Sequence, residues 1–123
     1  MIYVISNRIN GCNLALQCQL AHSYWERMRG LLGAPPLQPG QALWLEHCKS
    51  VHTFGMTYAI DVVFVDHNLL ILKQIYSMKP CRMSGVVWNA SATIELPPGT
   101  LKKTGTLPGH QLSIDARNLG KAP

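Results

Sequence analysis

The sequence predicts a mainly β fold: a small barrel or jelly-roll-like sandwich with one short α-helix over about residues 23–32. Three observations predict it. Short apolar segments rich in β-branched residues recur along the 123 residues. Gly, Pro, Asn and Asp punctuate the chain between them. One stretch alone has a helical period.

Ile2 to Ser6 reads as the first strand. Cys12 to Gln19 alternates, with Cys12, Leu14, Leu16 and Cys18 on one side and Asn13, Ala15, Gln17 and Gln19 on the other. That is the pattern of a half-buried strand. The period then changes. Ser23 and Glu26 form a capping box, and Tyr24, Met28, Leu31 and Leu32 follow at helical spacing. Gly33 ends this helix, and residues 34–40, with three prolines, make a stiff loop. Ala42 to Glu46 is a further strand. Ala59 to Asp66 and Leu69 to Tyr76 are the arms of a hairpin turned by Asp66-His67-Asn68. Val86 to Trp88, Ser91 to Leu96 and Gln111 to Ile114 complete the strands, with Pro97-Pro98-Gly99 turning the chain before the last.

Length and composition suit a single domain, residues 1–123, large enough to bury a core without disulfides. The four cysteines allow two disulfides in three pairings. The start of the chain has no signal-peptide pattern, so reduced thiols and the cytoplasm are expected; a chain processed after export reads the same way. No apolar run reaches the roughly 20 residues of a membrane span. The protein is basic, with a formal charge of +5. Its cations are scattered without interleaved aromatic platforms, so a nucleic-acid partner is not expected. A monomer acting on a small molecule or a protein partner is.

Residues 46–66 carry the most information. The run His52-Thr53-Phe54-Gly55-Met56, followed by Ile60-Asp61-Val62-Val63-Phe64-Val65-Asp66, resembles the core signature of the bacterial and archaeal family called domain of unknown function 192. Arg29-Gly30-Leu31-Leu32-Gly33 is similar to that family's upstream Arg-Gly-Leu motif. Pro80-Cys81-Arg82 and Ile94-Glu95-Leu96-Pro97-Pro98-Gly99 stand where the family has its later motifs. The order and spacing match over roughly residues 20–115. Two positions depart: Ala34 where the family often has Arg, and His110 where it usually has Asp after Gly. The resemblance implies a compact, mainly β domain and no particular reaction.

Asp61 sits among Ile60, Val62, Val63 and Phe64, so its carboxylate is expected to be buried and to need donors. Arg29 is a natural partner by type; the backbone amides around Phe54-Gly55 are the alternative. Glu95 lies between Ile94 and Leu96 and could pair with Asp61 for acid–base work. The binding candidates are therefore Arg29, His52, Thr53, Met56, Asp61 and Glu95, around a polar cleft near His52–Tyr58. His47, Cys48 and His52 are weak metal candidates, with Cys81 as a fourth ligand. Their spacing matches no strong zinc pattern, and no cofactor is expected. Cys48 with His52, beside Lys49, could also serve as thiol nucleophile and base.

Three functional readings follow. The first is a ligand- or partner-binding module. The second is a small hydrolase-type or metal-assisted enzyme using Asp61, Glu95 and His52. The third, which the resemblance permits, is a pilus- or envelope-assembly accessory protein.

Overall fold

The computed structural model describes residues 2–21 and 36–117. Seven strands and one short helix follow one another: β1 (Ile2–Asn7), β2 (Asn13–Ala21), β3 (Gln41–Glu46), β4 (Ile60–Val65), β5 (Ile71–Met78), β6 (Ala92–Leu96), α1 (Thr100–Lys103) and β7 (Leu112–Arg117). They form one sheet in the order β5-β4-β6-β3-β2-β1-β7. All pairs are antiparallel except β2 with β3. A parallel neighbour requires the chain to cross back from one end of the sheet to the other. The expected helix over 23–32, and Arg29 with it, lies outside the described residues.

The mainly β expectation stands, but the sheet is not closed. Its edge strands β5 and β7 meet at one corner through an isolated bridge, Leu70 to Gln111. Flanking bonds run from Ile71 N to His110 O (3.0 Å) and from Leu112 N to Leu69 O (3.0 Å). The barrel or jelly-roll form is approached only loosely. His110 stands where the family usually has Asp. Its Nδ1 lies 3.0 Å from Asn7 Nδ2 and accepts from Leu107 N at 3.2 Å, so a ring nitrogen supplies an acceptor at this corner.

Apolar side chains pack on both faces of the sheet. Val63, Val65, Ile94 and Leu96 join Ile5, Leu14, Cys18, Trp44, Leu101 and Leu112 in one cluster. Ile60, Val62 and Phe64 join Val51, Met56, Met78 and Ala90 in another. Strands alternate their side chains, so a strand feeding both clusters is covered on both faces. That is why β4 is buried along its whole length.

Three expectations need correction. The alternation read in β2 breaks, because Ala15 is buried and Leu16 exposed. Tyr3 pairs with Cys18 but Ile5 with Ala15, so β2 carries an extra residue there. The amides of Leu16 and Gln17 both donate to Gly40 O at 2.9 Å. Such a bulge shifts the phase of every side chain beyond it. Val86–Trp88 is not a strand; this stretch pairs irregularly with the 49–53 segment instead. Finally, α1 follows the Pro97-Pro98-Gly99 turn. Gly99 sits at its N-cap with φ 90°, a conformation glycine adopts without strain, and offers no side-chain cap. Four residues are too few to leave a helical period in the sequence.

Candidate functional site

Asp61 is fully buried. Its Oδ1 accepts from Ser77 N at 2.8 Å and its Oδ2 from Leu101 N at 3.0 Å. Both amides have reason to need it. The pairing of β4 with β5 slips between Ile60–Met78 and Val62–Ile75, so β5 is bulged there, and Ser77 has φ 47°. A bulge takes a residue out of the ladder. Leu101 lies in the first turn of α1, where amides have no partner inside the helix. One carboxylate thus caps a helix from a remote strand and satisfies a bulge. The backbone partners are those two amides, not the ones around Phe54-Gly55.

The register separates the two carboxylates. Asp61 pairs with Leu96, whereas Glu95 pairs with Val62 on one side and Leu43 on the other. Directly opposed residues share a face. Asp61 therefore lies on the Leu96 face of the sheet and Glu95 on the Val62 and Phe64 face. The expected acid–base pair does not form. Glu95 is only 1% exposed. Burial, and next the charge of Glu95, raise the pKa of Tyr58 above the ordinary phenol value. The Tyr58 hydroxyl is buried and has no hydrogen-bond partner among the described residues.

Thr53 is buried and acts as a clasp. Its hydroxyl donates to Lys79 O at 2.6 Å and accepts from Arg82 N at 2.9 Å. Its backbone N donates to Arg82 O and its carbonyl accepts from Cys81 N. Replacing Thr53 by Val keeps the shape and removes both hydroxyl bonds. The expected loss is about 2 kcal/mol in urea unfolding, with Thr53→Ser restoring most of it. A Val variant as stable as wild type contradicts the clasp.

Met56 packs into the cluster under Phe64. His52 is half-buried; it bridges to Met83, and its ring stacks on Phe54 at 5.3 Å. His47 is exposed, and Cys48 Sγ lies 2.9 Å from Ser50 O. Among the described residues no three His, Cys, Asp or Glu side chains gather in a group that could hold a metal. The sequence candidates therefore do not converge on an open polar cleft. Thr53, Met56, Asp61 and Glu95 are sealed, and among the described binding candidates His52 alone is not buried. Two cavities lined by described residues lie elsewhere. The larger, about 250 Å³, runs between Asn13–Leu16, Pro39-Gly40 and Pro97–Thr100. The smaller, about 140 Å³, is bordered by Ile2, Gln17, Gln19 and Leu43.

What these buried groups hold up is a surface. The 49–53 and 82–87 segments run side by side through Thr53 N to Arg82 O, Ser84 N to Val51 O and Val87 N to Lys49 O, all within 2.9 Å. Lys49 Nζ binds the carbonyls of Trp88 and Ala90, both at 2.7 Å. Thr93 Oγ1 ties the sheet to Cys48 O at 3.0 Å. Val51, Thr53 and Val87 turn inward. The other side presents Phe54 (47% exposed), Met83 (72%), Val86 (49%) and Trp88 (77%) to solvent. Sequence reasoning placed Phe54, Lys49 and Arg82 in its motifs but did not bring them together with Met83, Val86 and Trp88 on one surface. A signal was available: residues 47–60 and 77–94 contain Lys49, Lys79 and Arg82 and no acidic residue.

A crystal structure of a protein of unknown function from Novosphingobium aromaticivorans DSM 12444 is similar to this chain. The match covers 92% of this chain and 84% of that one, with TM-score 0.77 and 14% identity. A crystal structure described as a putative transcription regulator from Sinorhizobium meliloti 1021 covers 90% of each chain, with TM-score 0.73 and 18% identity. At these identities the likeness shows the fold alone. Comparison with curated proteins finds no match. The model of the DUF192 family, described as "Uncharacterized ACR", matches residues 5–114. With that match spanning most of the chain, and a mainly β fold beneath it, this protein belongs to the DUF192 family.

Proposed function

We propose that the chain is a binding module whose contact surface is the outward side of the 49–54 and 79–88 segments. The observation that carries this reading is the exposure of Phe54, Met83, Val86 and Trp88 along one braced pair of segments. Large apolar groups scattered singly over a surface are ordinary, but a run of them on a rigid support marks an interaction site. Here polar side chains are committed to the support. Thr53 spends its hydroxyl on the 79–82 turn and Lys49 its ammonium on the 88–90 turn.

In this reading the sealed residues Thr53, Met56 and Asp61 shape the surface from below, and His52 orients Phe54 through the ring stack. The enzyme alternative has less support, because Asp61 and Glu95 face opposite sides of the sheet. The likeness to a putative transcription regulator does not favour a nucleic-acid partner, since it carries the fold alone. No helix among the described residues is long and apolar enough to cross a membrane.

A photo-crosslinking amino acid at position 83, introduced in living cells, tests the reading. Position 107 is the control, since Leu107 is also exposed but belongs to the turn before β7 and not to these segments. A crosslinked product at 83 and not at 107 is the expected result. Equal labelling at both positions, or none at either, rejects the surface.

A further inference from the structure

We propose that the occupant of this surface is an anionic lipid bilayer, met peripherally by the Phe54, Met83, Val86 and Trp88 side chains. The proposal rests on the reading of that strip as the contact surface and names its partner class. Charge is the first argument. Lys49, Lys79 and Arg82 are the charged side chains of residues 47–60 and 77–94 until Asp61 and Glu95, which are buried. Exposed Glu46 lies just outside these segments, so the balance is three cations to one carboxylate. A net positive surface around apolar tips is complementary to acidic headgroups.

Residue chemistry is the second argument. Trp favours the headgroup level, where its ring is half in lipid, while Phe, Met and Val suit the acyl boundary just beneath. Trp88 and Met83 are the most exposed large apolar residues of the described chain. Shape is the third. Phe54, Met83, Val86 and Trp88 project into solvent, at 47%, 72%, 49% and 77% exposure. A bilayer closes around projecting apolar groups without a preformed groove, whereas a folded partner must supply one. Lys49, bonded to two carbonyls at the base of the Trp88 turn, holds that turn at a fixed height above the sheet.

The test uses the full chain with vesicles of phosphatidylcholine alone and vesicles that also contain phosphatidylglycerol. Co-sedimentation and tryptophan emission are the two readouts. Binding is expected on the phosphatidylglycerol vesicles only, weakening as salt rises. Trp44 is already buried, so a blue shift that disappears in Trp88→Ser assigns the inserted residue. Neutralising Lys79 and Arg82 together, as K79Q/R82Q, is expected to weaken binding about 30-fold. These side chains are exposed, and circular dichroism confirms that the variants fold. No co-sedimentation with either vesicle, equal binding to both, or a K79Q/R82Q variant that binds like wild type overturns the lipid assignment. If vesicles fail while position 83 crosslinks to a protein in cells, the lipid assignment falls and the contact surface stands.

Discussion

Asp61→Ala is expected to destabilise the fold by about 3 kcal/mol in equilibrium urea unfolding, because it takes the acceptor from two backbone amides at once, the buried one of Leu101 among them. Ser77 N and Leu101 N both lose their acceptor. The first belongs to a bulge that its own strand cannot satisfy, the second to a four-residue helix with no side-chain cap at Gly99. Leaving a buried donor unmade costs more than the bond contributes when formed. Asp61→Asn separates this account from a simple loss of charge. The Asn oxygen still accepts from one amide, but its NH2 group faces the other donor. About half the effect is then expected. Amide hydrogen exchange should show fast exchange at Ser77 and Leu101 in the Ala variant, with the far strands β1 and β2 still protected. An Ala variant within about 1 kcal/mol of wild type rules out the brace.

The second large effect appears with pH. Burial pushes the Cys18 thiol from 9.0 up to about 12. In the unfolded chain the thiol ionises from pH 9 upward, while the native protein keeps its proton until about pH 12. The native state therefore binds more protons across this window, and stability falls as pH rises. Below pH 9 the thiol is protonated in both states and contributes no slope. Three units of separation correspond to about 4 kcal/mol lost by pH 12. Tyr58 acts in the same direction, since its pKa is raised too. Cys18→Ala isolates the thiol: the variant starts less stable, because a core group is gone, but its stability declines less steeply between pH 9 and 12. Parallel curves for the two proteins contradict the burial of this thiol.

Much of the fold was legible because β-branched runs and turn residues act locally. Ile60 to Val65 announces a strand buried on both faces, and Asp66 announces its turn by accepting from Asn68 N and Leu70 N. The phase of β2 was not legible. Its bulge depends on the Gly40 carbonyl, supplied from more than twenty residues away. The helix α1 was missed for a similar reason, since its cap comes from Asp61, forty residues upstream.

Burial of Asp61 could be read from its neighbours, but not its partners or its face relative to Glu95. Alternation assigns sides within one strand; only the pairing of β4 with β6 tells which sides coincide. The projecting strip was half legible. Phe54 stood out beside Gly55, whereas Met83 and Val86 belong to a stretch with neither strand nor helix period. Their outward direction is set by long-range bonds to Val51 and Thr53.

The braces keep the protein folded, while the projecting side chains contribute little to folding. Urea unfolding of the double variant Met83→Ser, Trp88→Ser tests that division most directly. Both side chains already meet water, so a change within about 0.5 kcal/mol is expected. A loss of more than about 2 kcal/mol would show that they belong to the core, and that this surface is no contact site.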